Sequence, residues 1–128
     1  MMHDIIFLYL DEVVEIHRDQ IQRYGGLQGV RDAGLLESAV AMPRTMFRGS
    51  YLHRDIFEMA AAYLFHIVEN HPFFDGNKRT GAVAAIVFLK LNGIELKADE
   101  SAFEDLIIEV AEGTADKTTV AAFLRADS

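Results

Sequence analysis

Residues 56–91 read IFEMAAAYLFHIVENHPFFDGNKRTGAVAAIVFLKL, two apolar stretches joined through HPFFDGNKRTG at residues 71–81. In the first stretch Phe57, Ala60, Ala61, Leu64, Ile67 and Val68 recur at helical spacing, which predicts an amphipathic helix over residues 56–70. His71-Pro72 ends it, because proline disfavours helical geometry in the residue before it. The second stretch, from about Asn77 to Leu91, is apolar nearly all round, the pattern of a central helix enclosed by others, and Asn92-Gly93 closes it.

Working outward, Val13, Val14, Ile16, Ile21 and Tyr24 predict a helix over residues 11–24, stopped by Gly25-Gly26. LLESAVAM at residues 35–42 reads as a short helix ended by Pro43, with Asp32 as its cap and Arg31 solvated. Residues 45–53 have no period and read as a loop. Phe103, Leu106, Ile107 and Val110 mark a further helix, with Glu100, Glu104, Asp105, Glu109 and Glu112 on its wet face, and residues 120–124 a last one. Only IIFLYL (residues 5–10) and GIEL (residues 93–96) look strand-like. The class is therefore all-α, about six helices around a central buried one, in one domain over residues 1–128.

Composition agrees. A chain of 128 residues, 51% hydrophobic and 25% charged, suits one compact core. It has no cysteine, which excludes disulfide and thiolate chemistry and makes the cytosol the default compartment. IIFLYL follows His3-Asp4 and leads into Asp11-Glu12, unlike a signal peptide. The apolar run GAVAAIVFL stops at Lys90, well short of the roughly 20 residues a bilayer needs, so no membrane partner is expected. The net charge of −8 repels a phosphodiester backbone, which argues against direct nucleic-acid binding and requires any anion site to be local.

That locality falls in the loop. Asp75-Gly76 is turn chemistry and Asn77 a favoured N-cap, so an ordinary helix connection accounts for them. It does not account for Lys78 and Arg79, cations in a first turn where the helix dipole disfavours them by about 0.3–1 kcal/mol each. Free N–H groups at a helix start, with Lys and Arg added, form a phosphate cradle. His71, across the same loop, suits a proton acceptor, and Asp75 is a hard oxygen ligand suited to Mg²⁺ beside phosphates. Phosphoryl or nucleotidyl transfer and a purely structural loop both remain open on these grounds.

Elsewhere, His3, His17, His53 and His66 include no i, i+4 pair, and His66 and His71 diverge around a helix, so they read as surface or satisfied core histidines. Met42, Met46 and Met59 read as core filler or groove lining.

HPFFDGNKR resembles the Fic-family signature His-Pro-Phe-x-(Asp/Glu)-Gly-Asn-(Gly/Lys)-Arg, and its lysine resembles the Doc (death-on-curing) toxin branch. IHRDQIQRYGG, GVRDAGLLESAV, DIFEMAAAYLFHIVENHPFFDGNKRT and FLKLNG are similar to segments of that branch in the same order. The resemblance implies a compact Fic/Doc helical bundle that transfers part of a nucleoside triphosphate to a protein hydroxyl, with ATP and Mg²⁺. It implies His71 as general base, Asp75 as Mg²⁺ ligand, Asn77 as a phosphate contact, and Gly76, Asn77 and Lys78 as a backbone anion hole. Arg79 is the implied phosphate-binding arginine and Phe73 a buried aromatic that holds the loop.

AMP-transferring members of that family have Gly where this chain has Lys78, and a second Arg where it has Ala82. The resemblance therefore implies a protein kinase that presents the γ-phosphate. AMPylation and a catalytically silent peptide-binding module are the alternatives. Gly76 also occurs in the AMP-transferring pattern. No Glu has the hydroxyl residue four positions earlier that the self-inhibitory motif (Ser/Thr)-x-x-x-Glu-(Gly/Asn) requires; Glu112-Gly113 has Ile108 there. The implied restraint is a cognate antitoxin whose segment folds into a groove, and the implied target is the translation machinery, elongation factor Tu by analogy.

Overall fold

Asp32, Asp55, Asp99 and Asp116 each precede a helix and accept a backbone N–H of its first turn, from Leu35, Glu58, Ala102 and Thr119 respectively. Caps of this kind each contribute about 1 kcal/mol. They start α2 (Ala33–Ala41), α3 (Ile56–Asn70), α5 (Glu100–Glu112) and α6 (Lys117–Ala126). The remaining helices are α1 (Leu10–Tyr24) and α4 (Asn77–Leu91), in a computed structural model that describes residues 4–128.

The all-α class stands, and the helix pattern is close to that read from the sequence. Residues 45–53 differ: after a 3-10 turn at Met42–Arg44, β1 (Met46–Phe47) pairs antiparallel with β2 (Ser50–Tyr51). The hairpin is exposed on both strands, so it carries no apolar alternation for a sequence to reveal.

The core is built on α3 and α4 together. α3 is buried on every side from Met59 to Leu64 and meets α2, α4, α5 and α6, so it, rather than α4 alone, is the hub. α4 turns Ile86 and Leu91 partly to solvent. The two approach closely at Gly81, where a Cβ would lie 3.0 Å from Val68 Cγ2 and 3.1 Å from Leu64 O. No helix among the described residues is long and apolar enough to cross a membrane.

The strand-like residues 5–9 form neither strand nor helix. Side chains serve in place of a neighbouring strand. Asn92 Oδ1 accepts from Ile6 N at 2.9 Å while its Nδ2 donates to Ile6 O at 2.9 Å. Two residues on, Tyr63 Oη accepts from Leu8 N at 2.8 Å and donates to Leu8 O at 3.2 Å. Burial pushes the Tyr63 phenol up to about 12, which keeps that donor protonated. Tyr63→Phe should leave both Leu8 backbone groups unpaired in the core and lower unfolding free energy by about 1–3 kcal/mol, read from urea titrations. An unchanged midpoint would contradict this account of the segment.

Candidate active site

The chain leaves α3 through His71, whose backbone is left-handed at φ 51° and ψ 54°. Arg31 holds it there, donating from Nε to His71 O at 2.7 Å and from its second guanidinium nitrogen to Asn70 O at 3.1 Å. Arg31 is thus a cap on the end of α3 rather than a merely solvated cation. Its neighbours give the loop a strand-like partner. Arg31 N and Asp32 N donate to Pro72 O at 2.7 and 3.1 Å, Phe74 N donates to Gly29 O at 3.3 Å, and Val30 bridges Phe73.

Inside, Phe73 is fully buried and lies flat on the His17 ring, with centroids 3.8 Å apart and planes 4° from parallel. His17 Nε2 donates to Asp75 O at 2.8 Å. Burial, and secondarily the Arg79 charge, lower the His17 pKa against the pull of that hydrogen bond, so its imidazole stays neutral. The sequence did contain a signal for His17: it falls one helical turn after Val13 and one before Ile21, on the buried stripe of α1.

Asn77 departs from expectation. It is the first residue of α4 and not its cap, a position taken by Gly76 in left-handed conformation at φ 76°. Asn77 Oδ1 accepts from Phe73 N and its Nδ2 donates to Phe73 O, both at 2.9 Å. Its side chain is committed to the loop, so its backbone N–H, and not its amide, is what it can offer a ligand. Gly76 fits both by conformation and by space, since a Cβ would lie 2.9 Å from Ile21 Cδ1.

With glycine as cap, no side chain closes the first turn of α4, and the N–H groups there have no carbonyl within the helix to receive them. Lys78 is exposed beside them. Arg79 is held by Gly25 O at 2.9 Å and by the Tyr24 ring, 5.5 Å from its guanidinium carbon. Asp75 Oδ2 accepts from Leu27 N at 2.8 Å, which leaves Oδ1 without a protein donor among the described residues.

His71, Asp75, Gly76, Asn77, Lys78 and Arg79 all line one cavity of about 530 Å³, walled by Val68 and Glu69 of α3 and Ala111 of α5. Two cations, open backbone donors, an imidazole and the uncommitted Asp75 oxygen converge on it, beside Glu69. That is donor chemistry for a phosphate-bearing ligand. No group of three or more His, Cys, Asp or Glu able to hold a metal occurs among the described residues. A Mg²⁺ held by Asp75 would thus depend on phosphate oxygens and water, as this ion commonly does.

Of the other histidines, His3 lies outside the described residues. His53 and His66 meet at Lys117, with Nε2 atoms 3.0 and 2.9 Å from its Nζ. Burial, then the Lys117 charge, lower both, His66 to about 4. Met59 is core, while Met46 is exposed.

Residues 7–89 match the model of the Fic/DOC family. The chain is 43% identical over 103 residues to a protein of Mycolicibacterium smegmatis named "Toxin Doc", covering 79% of each chain. It is 36% identical over 116 residues to one of Escherichia phage P1 named "Protein kinase doc", covering 90% of each.

Asn77→Ala should cost about 1–3 kcal/mol of stability by orphaning both Phe73 backbone groups, and should speed amide exchange at Phe73. Unchanged exchange at that amide would show that the loop does not depend on Asn77. Because His66 binds its proton less readily folded than unfolded, its contribution is complete above about pH 6.5 and lost as pH falls towards about 4. His17 and His53 are lowered in the same direction. Unfolding free energy should therefore drop across that window, and His66→Gln should flatten the slope; equal slopes would refute the assignment.

Proposed function

The chain belongs to the Fic/Doc family, on its Doc toxin branch, and from that premise we propose that it is the toxin of a toxin-antitoxin pair, a Mg²⁺-dependent protein kinase. It moves the γ-phosphate of ATP to a hydroxyl of a translation-machinery protein, elongation factor Tu by analogy, in the cytoplasm, and a cognate antitoxin restrains it. The observation that carries this reading is the convergence of His71, Asp75, Gly76, Asn77, Lys78 and Arg79 on one cavity.

Each residue then has a task. The open N–H groups at the start of α4, with Lys78 and Arg79, bind the phosphates and offset their charge. Arg79 is pre-positioned by Gly25 and Tyr24, so little freedom is lost on binding. His71, its backbone fixed by Arg31, accepts the hydroxyl proton as that oxygen bonds to the γ-phosphorus and the bond to the β-phosphate oxygen breaks. Asp75 Oδ1 would hold Mg²⁺, which supplies charge neutralisation on the phosphate oxygens. Lys78 and Ala82, standing where AMP-transferring members have Gly and Arg, favour the γ-phosphate over the α-phosphate as the group transferred.

Incubation of the chain and target with ATP labelled separately at the α- and γ-positions should label the target from the γ-position alone. Label from the α-position would establish AMPylation instead. His71→Ala should reduce transfer about 10²- to 10⁴-fold with the fold intact by circular dichroism. A growth-arresting activity that survives this substitution would favour a silent peptide-binding module.

A further inference from the structure

Two consecutive phenylalanines meet opposite fates in the loop. Phe73 is fully buried, whereas Phe74 is 50% exposed and lines the cavity that holds the phosphate donors. The place of its ring is nevertheless built. Phe74 N donates to Gly29 O at 3.3 Å, and one edge of the ring lies over Gly29, where an added Cβ would stand 3.4 Å from Cδ2 and 3.5 Å from Cε2. No other aromatic ring and no cation among the described residues packs on it. An apolar π-surface is thus held at the cavity wall without a partner of its own.

The phosphate-binding groups account for only part of that cavity. Its volume of about 530 Å³ lies in the range that encloses a whole small-molecule ligand, so it has room for the nucleoside that carries the phosphates. A nucleobase is flat and buries its faces best against another ring. Among the described residues that line the cavity, Phe74 is the one Phe, Tyr or Trp. Reach agrees. Phe74 stands three residues before Asn77, so their Cα atoms are at most about 11 Å apart, a gap that the ribose and triphosphate of one nucleotide can bridge.

We propose that Phe74 is the base-stacking platform of the site, receiving a face of the nucleobase while the start of α4 holds the phosphates. This rests on the nucleotide-dependent reading above and extends it from the phosphates to the nucleoside. Stacking uses a π-face that every base possesses, so the platform does not choose between adenine and guanine. It also makes the pairing of residue 74 with residue 29 a determinant of nucleotide affinity, because Gly29 sets where the ring lies.

The test is calorimetric titration of the full chain, with Mg²⁺ present, by the non-hydrolysable β,γ-imido analogue of ATP and separately by inorganic tripolyphosphate. Phe74→Ala should weaken the nucleotide roughly 5- to 100-fold and leave tripolyphosphate unchanged, whereas Phe74→Tyr should retain nucleotide affinity. The corresponding GTP analogue should lose as much as the ATP analogue in Phe74→Ala. An equal loss of nucleotide and tripolyphosphate, or a loss in Phe74→Tyr as large as in Phe74→Ala, would overturn the stacking role and leave the phosphate site standing. Nucleotide affinity that survives Phe74→Ala would do the same, and a raised KM for the protein target in that variant would assign the ring to target docking instead. Should neither ligand bind the wild-type chain, the phosphate site falls, and the platform with it.

Discussion

The stack of Phe73 on His17 is the constraint from which the loop geometry follows. A loop between two long helices is ordinarily free to choose among several paths, because its backbone groups can turn to water. Here the aromatic ring is fully buried between α1 and the hub helices, so the chain must dip inward at residue 73 and climb out again by residue 76. His17 completes the restraint by accepting the flat face of Phe73 and donating to Asp75 O from the same ring. Both contacts keep His17 buried, and that burial lowers its pKa. The direction in which α4 starts, and hence where its open N–H groups point, depends on this one core contact.

Much of this was legible in the sequence, and the boundary is physical. Helical periodicity places α1, α3 and α4 nearly to the residue and marks the buried face of α5, because their apolar positions recur at helical spacing. The motif at residues 71–79 names the loop groups that line the cavity. What escaped is the support. Arg31 reads as solvated because its task is to cap carbonyls at residues 70 and 71, a contact of long sequence separation. Asn77 reads as a helix cap because propensity favours Asn there, whereas Gly76 takes the cap through its left-handed backbone and frees Asn77 to brace Phe73. The Lys117 cluster joins three elements by side-chain tips alone, and no local pattern encodes such a meeting.

The treatment of helix starts separates the site from the scaffold. α2, α3, α5 and α6 spend an aspartate on their first turns, which satisfies donors and complements the dipole. α4 has neither carboxylate nor hydroxyl there and adds two cations instead. In isolation this arrangement is unfavourable by up to about 2 kcal/mol, and in a protein of net charge −8 it places positive charge locally at the loop. The cost is offset within the fold by the burial of Phe73 and by the anchoring of Arg79 on Gly25 and Tyr24.

A rule shared by the irregular segments explains why a helical scaffold can hold such a loop rigid. Residues 5–9, 25–32 and 71–76 have no continuous ladder, yet backbone groups in each are paired by polar side chains that act as substitutes for a strand. Asn92 and Tyr63 serve Ile6 and Leu8, Asn77 serves Phe73, and His17 serves Asp75. Leaving the buried groups of Leu8 or Phe73 unpaired would cost about 1–3 kcal/mol, so each side chain selects one path for the segment it serves. Helices fix those side chains in turn, since a residue on a buried stripe has few rotamers to choose from. Precision in the loop is therefore inherited from α1 and α4, and the segment that carries the chemistry needs no regular structure of its own.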